Sequence, residues 1–135
     1  MNYWLLKTEP SVYSYDDLVK DKKTVWDGVR HPTALRNIRS SKKGDQVFIY
    51  HTGDEKQIIG IAEIVSDPYP DAKEENDKIM VFEIKPVKKL KAPVTLAQIK
   101  SDKKYSDFRL VRESRLSVVP VPKEYWDDII KMSED

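Results

Sequence analysis

Polar side chains stand beside aromatic rings in three short segments of the sequence, residues 4–10, 26–30 and 50–53. A pocket for a nucleobase needs both components, because an aromatic face stacks on the base while donors and acceptors contact its edge. Either Trp26 or Tyr50 could supply the stacking face. The groups that could contact the base edge are backbone N–H groups and the side chains of Thr8, Glu9, Asn37 and Thr52.

Each of these residues also has an ordinary structural explanation. Trp4 lies in the first apolar run, where a tryptophan usually belongs to the core. His51 ends a predicted strand, and a neighbouring turn could satisfy its ring. Taken one residue at a time, the structural explanation is favoured, so a pocket has to be argued from the segments together.

Cationic residues are concentrated in one stretch, although the chain as a whole is nearly neutral. Lys and Arg number 24 against 23 Asp and Glu, so the net charge of +1 gives no strong field that would steer a polyanion. Arg36 and Arg39 are three residues apart and share one helix face, which could meet a phosphate backbone. A solvated helix face with distant acidic partners explains this pattern equally well. The stretch from residue 30 to residue 43 has no acid and five cations, Arg30, Arg36, Arg39, Lys42 and Lys43.

The usual patterns of catalytic and metal sites are missing from the sequence. There is no cysteine, and the two histidines, His31 and His51, do not stand at metal-ligand spacing. The four glycines are too scattered for a loop that cradles phosphate. No acids form an isolated pair in an apolar setting, which catalysis by a raised carboxyl pKa requires. We therefore predict a non-enzymatic protein with no metal and no cofactor.

The length of 135 residues is that of one ordinary domain, and we predict a single domain over residues 1–135. No basic segment is followed by a long apolar run, so we predict neither a signal peptide nor a membrane helix. We expect a cytoplasmic protein that acts as a monomer and has no membrane partner.

The elements that must position these groups are short. Ser14 with Asp17 three residues later marks a helix start, as does Thr95 with Gln98, and Pro32 suits the first turn of a helix. The absence of a βαβ rhythm predicts an α+β domain built on a strongly bent or closed sheet. Strands are predicted at residues 3–7, 24–26, 47–51, 58–66, 78–87 and 115–120, a loop at 67–70, and helices after Ser14 and at 32–40, 96–99 and 122–132.

Taken together, these segments resemble one known family. The run from Tyr3 to Pro10 resembles the opening of EVE-domain proteins. Matching segments follow in the family's order and cover nearly the whole chain, which is not expected by chance. They lie at residues 17–18, 26–30, 43–45, 50–52, 59–62, 69–71 and 115–118.

The resemblance implies a PUA-like pseudo-β-barrel of about six strands with short surrounding helices. It also implies a reader of modified bases, because family members bind 5-methylcytosine or its hydroxylated form in DNA, and RNA roles are suspected for others. The implied partner is a nucleic acid, DNA or RNA, that carries a modified base. The implied base-pocket residues are Lys7, Thr8, Glu9, Trp26, Asp27, Val29, Asn37, Tyr50, His51, Thr52, Leu116 and Ser117. The implied phosphate-binding residues are Arg30, Arg36, Arg39, Lys43 and Arg115.

The sequence departs from the family pattern in places that bear on the ligand. Thr8 and Thr52 stand where the family has serine, and the added methyl group narrows the site at each position. The stretch 31–37 is one residue longer than usual and lacks the usual aromatic and amide. The identity of the base is therefore the least transferable part of the resemblance.

Two other functions remain alternatives. An enzyme or sensor could act on a free modified nucleoside or another small molecule in the same pocket, with His51 and Glu9 as acid–base candidates. A protein-interaction module could use the apolar helix at 122–132, although we expect this helix to pack into the core.

Overall fold

Seven strands and five α-helices are formed by residues 1–134, the part of the chain that the computed structural model describes. The strands are β1 (Tyr3–Thr8), β2 (Thr24–Trp26), β3 (Gln46–His51), β4 (Gln57–Ile64), β5 (Tyr69–Pro70), β6 (Met80–Thr95) and β7 (Val118–Pro120). The helices are α1 (Tyr15–Asp21), α2 (Pro32–Ser40), α3 (Leu96–Lys100), α4 (Arg109–Arg112) and α5 (Lys123–Glu134), with a 3-10 helix at Lys103–Tyr105.

The strands form a curled half-barrel in the order β2-β6-β4-β3-β1-β7, and β5 pairs with β6 off this path. Register shifts interrupt β3 between Ile49 and Tyr50, and β4 between Ile58 and Gly60 and again after Ile61. Such irregularities bend a strand and increase its twist. The curl of the sheet is therefore built into its two central strands.

The pairing of β1 with β3 is parallel, whereas the other pairs are antiparallel. Parallel strands end at the same edge of a sheet, and Thr8 is paired with His51 at that edge. This pairing brings the polar residues after β1 next to those after β3. Two segments separated by more than forty residues in the sequence thereby become neighbours.

The core lies between the sheet and the helices packed on it. Trp126 of α5 stacks on Phe48 of β3, with ring centroids 3.8 Å apart and an interplanar angle of 18°. Tyr15 of α1 packs its ring directly over Gly60 of β4 and donates a hydrogen bond to the carbonyl of Ile61 at 2.7 Å. As expected from the sequence, α5 buries its apolar face in the core.

Helix starts follow the sequence signals closely. Ser14 and Thr95 each form a capping box, with Asp17 and Gln98 as the third helical residues. Pro32 occupies the first turn of α2, whose N-cap is His31.

Several predicted boundaries are wrong. β6 continues to Thr95 rather than ending at residue 87, because β4 pairs with it as far as Thr95. Pro86 and Pro93 are tolerated there because β2 pairs only with residues 82–84, so the other side of β6 has no partner strand beyond them. Residues 67–70 are not entirely loop, since β5 pairs with the start of β6. The last strand is confined to Val118–Pro120, and the short helices between residues 103 and 112 were not predicted.

Candidate functional site

A cavity of about 530 Å³ opens where β1 and β2 end. Its volume lies within the range of small-molecule pockets, roughly 300–1,000 Å³. We call it the strand-end cavity. It is lined by Lys7, Thr8, Glu9, Val12, Tyr13, Thr24, Val25, Trp26, Asp27, Gly28, Val29, Arg30 and Ser117.

Two aromatic rings form part of the cavity wall. Trp26 is the last residue of β2 and is half-buried, so part of its indole remains open to the cavity. Tyr13 meets it edge to face, with centroids 6.3 Å apart and an interplanar angle of 76°. The Tyr13 hydroxyl donates to Asp21 at 2.8 Å, and burial together with this bond raises the pKa of the phenol. The wall is thus held in place by hydrogen bonding at its outer end.

The carboxylate of Glu9 is fixed at the rim of the cavity. One oxygen accepts from the backbone N–H and the hydroxyl of Ser11, at 3.2 and 3.1 Å. The other accepts from the Thr52 hydroxyl at 3.4 Å and lies against Gly53. A Cβ atom at Gly53 would come within 2.8 Å of this oxygen, so glycine leaves room for the carboxylate.

Thr8 and Lys7 close the side of the cavity formed by β1. The Thr8 hydroxyl donates to the carbonyl of Tyr13 at 2.7 Å, which leaves its oxygen free to accept. The Lys7 ammonium donates to the carbonyl of Ser114 at 2.9 Å, and burial lowers the pKa of this amine. The Lys7 backbone N–H donates to Ser117, which brings the segment before β7 to the cavity.

Two ion pairs join the cavity to the segment before β6. Asp27 pairs with Lys73 at 2.7 Å, and Arg30 pairs with Glu74. Both charged residues of the 26–30 segment therefore already have partners. A ligand phosphate at Arg30 would have to exchange with the Glu74 carboxylate.

Five residues of the predicted base pocket do not border this cavity, namely Asn37, Tyr50, His51, Thr52 and Leu116. Asn37 is buried in α2 and donates to the carbonyl of Val118 at 2.8 Å. Leu116 is buried in the core. His51 is 6% exposed and sits between the Tyr15 backbone and Glu55.

The contacts of His51 define its protonation. Its Nε2 atom accepts from the backbone N–H of Tyr15 at 3.0 Å and therefore carries no proton. Its Nδ1 atom lies 3.0 Å from Glu55, so Nδ1 carries the proton and donates it to the carboxylate. This hydrogen bond lowers the pKa of Glu55. His51 thus joins the start of α1 to the end of β3.

Tyr50 and Thr52 border a second cavity, of about 240 Å³, rather than the strand-end cavity. Trp26 and Tyr50, the two predicted stacking residues, therefore do not face each other across one slot. Burial raises the pKa of the Tyr50 hydroxyl. Of the two aromatics, Trp26 is the more accessible, since Tyr50 is only 4% exposed.

Most of the predicted phosphate-binding cations are also outside the strand-end cavity. Arg30 lines it, but Arg36, Arg39 and Lys43 do not, and Arg115 lines a separate depression of about 270 Å³. Arg39 donates to the carbonyl of Lys78 at 3.4 Å. The four cations outside the cavity are exposed and, within residues 1–134, form no ion pair; they are Arg36, Arg39, Lys43 and Arg115.

Sequence reasoning missed several residues that line the cavity. Tyr13 is one of the two aromatic rings in the cavity wall. The signal in the sequence that could have indicated it is its position just before Ser14, the N-cap of α1. Thr24 and Val25 precede Trp26 on the same short strand. Val12, in the loop after β1, is 79% exposed at the cavity.

Two other features are absent from residues 1–134. No group of three or more His, Asp or Glu side chains is arranged to hold a metal ion there. Nor does that part of the chain contain a helix with the length and apolar character needed to cross a membrane.

Comparison with known proteins identifies relatives over the whole cavity-forming region. The family model described as "EVE domain" matches residues 2–132. Human thymocyte nuclear protein 1 is 29% identical over 98% of this chain and 74% of its own length. The resemblance to EVE-domain proteins predicted from the sequence is thereby confirmed.

Solved structures share the fold closely. The solution structure of Rpa0253 from Rhodopseudomonas palustris has a TM-score of 0.94 at 41% identity, covering 99% of this chain and 94% of that one. Human THYN1 protein, crystallised in complex with DNA containing 5-methylcytosine, has a TM-score of 0.89 at 29% identity, with 100% and 99% of the two chains covered. The α+β, PUA-like fold expected from the sequence is confirmed.

Proposed function

The chain belongs to the EVE domain family, and from this premise we propose that it binds nucleic acid and holds one modified base in the strand-end cavity, without catalysing a reaction on it. The base is of the 5-methylcytosine type in DNA or a modified base in RNA. The human relative bound to 5-methylcytosine DNA supports the DNA form of this proposal.

The observation that carries the proposal is the half-buried face of Trp26 in a cavity of about 530 Å³ with polar groups on its rim. A base can enter such a cavity only after it has been flipped out of its strand, which costs a few kcal/mol. Stacking on an aromatic ring returns roughly 1–3 kcal/mol per base. A lone nucleoside should therefore bind weakly, and contacts with the backbone should supply much of the affinity.

The polar rim offers groups of the types that a base edge requires. The carboxylates of Glu9 and Asp27 accept hydrogen bonds, as an exocyclic amine needs. Thr8 and Ser117 offer hydroxyl oxygens, and Lys7 offers a cationic donor for a carbonyl. These side chains form hydrogen bonds with the edge of the base while Trp26 stacks on its face.

Valine side chains provide apolar contacts for a methyl group. Val12 and Val25 are exposed at the cavity, and Val29 lines it as a buried residue. One added methylene in an apolar pocket changes affinity by roughly 1–3 kcal/mol, or about 10–200-fold. We therefore expect a preference for the methylated base within this range.

The test is a binding array of oligonucleotides that carry different modified bases, in deoxyribose and ribose forms, measured by fluorescence anisotropy. We expect one modified base to be preferred, and Trp26→Ala to abolish the preference while Trp26→Phe keeps most of it. Affinity should fall as salt rises, because phosphate contacts release counterions. Equal affinity for all bases, or no effect of Trp26→Ala, would show that the cavity is not the reading site.

The enzymatic alternative gains no support from the position of His51. Both of its ring nitrogens have partners, and it does not border the cavity in which Glu9 lies. Chromatography of modified nucleosides incubated with the protein should show no turnover. A product that disappears in His51→Ala would favour the alternative.

We further propose a cytoplasmic monomer, which cell fractionation and light scattering would test.

A further inference from the structure

A second cavity lies directly beside the strand-end cavity and is lined by three lysines. We call it the lysine cavity; it has a volume of about 240 Å³. Lys7 lines both cavities, so they share part of their wall. The residues of the lysine cavity are Lys7, Tyr50, Thr52, Gly53, Lys56, Leu96, Lys100, Leu110, Val111 and Ser114.

The charges of the two cavities differ. The strand-end cavity contains two carboxylates, of Glu9 and Asp27, that repel a phosphate and offset its two cations, Lys7 and Arg30. The lysine cavity is lined by three cations and no acid, and the nearby Glu9 carboxylate lies behind its residues Thr52 and Gly53. Within residues 1–134, none of the three lysines forms an ion pair. Of the two, the lysine cavity is therefore the one suited to an anion.

The remaining lining suits the sugar attached to such an anion. Leu96, Leu110 and Val111 form an apolar wall, and the Tyr50 ring lies with its centroid 5.8 Å from the Lys7 ammonium. The backbone at Lys56 is fixed, because its carbonyl accepts from the Leu96 N–H at 2.8 Å. An apolar wall with cationic groups around it matches a nucleotide backbone, in which a phosphate joins a less polar sugar.

We propose that the lysine cavity is a subsite for the phosphate and sugar of the nucleotide next to the flipped one. This inference rests on the proposed function, since the neighbouring nucleotide is defined by a base in the strand-end cavity. Lys56 and Lys100 hold the phosphate, and Lys7 stands between the two nucleotides. The subsite was missed in the sequence because its three cations come from three separate segments and none lies in the 30–43 stretch.

The decisive variant is Lys56→Gln with Lys100→Gln, compared with Lys88→Gln and Lys91→Gln. The control pair removes the same charge from another depression, lined also by Ile130 of α5. Binding of a single-stranded oligonucleotide with one modified base is measured from 50 to 200 mM salt. Loss of one phosphate contact on a single strand lowers the slope of log K against log salt by about 0.7, or about 2.6-fold in affinity over this range.

We expect this change in the Lys56/Lys100 variant and no change in the control, with both variants binding the free modified nucleoside as the wild type does. Equal slopes for the two variants would overturn the subsite while leaving the proposed function intact. A wild-type protein that shows no preference for the modified base would instead count against the proposed function.

A second measurement needs no modified base. Inorganic phosphate titrated into the wild-type protein should shift the amide resonances of Gly53, Lys56 and Lys100, and the double variant should lose these shifts. Amide shifts confined to other parts of the chain would overturn the subsite.

Discussion

Replacing Gly53 with alanine tests whether the Glu9 carboxylate contacts the ligand. Gly53 has φ +74°, and a left-handed conformation costs an L-residue roughly 1–2 kcal/mol. The new Cβ would lie 2.8 Å from a Glu9 oxygen. That oxygen is the far end of a flexible side chain, so it moves away at little further cost and leaves its position beside Thr52.

We expect the free energy of unfolding to fall by about 1–2 kcal/mol from the backbone strain alone. A hydrogen bond to a charged group contributes roughly 1.5–3 kcal/mol, so binding of the preferred modified-base oligonucleotide should weaken by about 10- to 150-fold. Urea denaturation measures the first effect, and fluorescence anisotropy at fixed salt measures the second.

Gly44→Ala is the matched control. Gly44 has φ +97° and no atom within 4 Å of an added Cβ, so this variant carries the backbone strain without touching Glu9. It should lose similar stability and keep wild-type affinity. If Gly53→Ala binds as tightly as Gly44→Ala, the carboxylate does not contact the base and the assigned role of Glu9 is wrong. Glu9→Gln should reproduce the binding defect without the loss of stability.

Three further predictions concern the groups that hold the sheet. Burial raises the pKa of Tyr15 to about 12, so the stability it contributes is complete below pH 10 and lost as pH rises through about 12. The loss of stability amounts to about 2–3 kcal/mol. In Tyr15→Phe, unfolding at alkaline pH, followed by circular dichroism, should therefore depend less on pH than in the wild type. Gly60→Ala places a Cβ 2.6 Å from the buried Tyr15 ring and should cost at least about 1–3 kcal/mol in urea denaturation; a wild-type midpoint would contradict this packing. Asp45 is buried and accepts from the Trp4 indole and the Asn2 backbone, both at 3.0 Å, so Asp45→Ala should cost about 1–3 kcal/mol for each donor left buried without a partner. Asp45→Asn keeps one acceptor oxygen, so an equal loss in both variants would rule out this explanation.

The local elements were predictable because their signals are local. Capping boxes at Ser14 and Thr95 and the proline in α2 depend on neighbouring side chains only, and each helix begins where the sequence indicates. The length of β6 was not predictable in the same way. Its second half is rich in lysine and contains prolines, and it is a strand because β4 pairs with it.

The site was predictable in part. The segments 4–10 and 26–30 contribute residues to one cavity, whereas Tyr50 faces another. Asn37 and His51 form hydrogen bonds that hold the fold together. Sequence spacing gives the residue types at a strand end but not which side of the sheet each one faces after a bulge. The register shift next to Tyr50 is a feature of this kind.

The position of β1 has a consequence for how the chain folds. β1 pairs on one side with β3 and on the other with β7, so residues 4–6 depend on residues 118–120. Contacts between such distant parts of a chain form slowly, because a large loop must close first. During synthesis, β1 therefore remains without one neighbour until residues beyond 117 have left the ribosome. The strand-end cavity, to which Ser117 contributes, is completed only at that late stage.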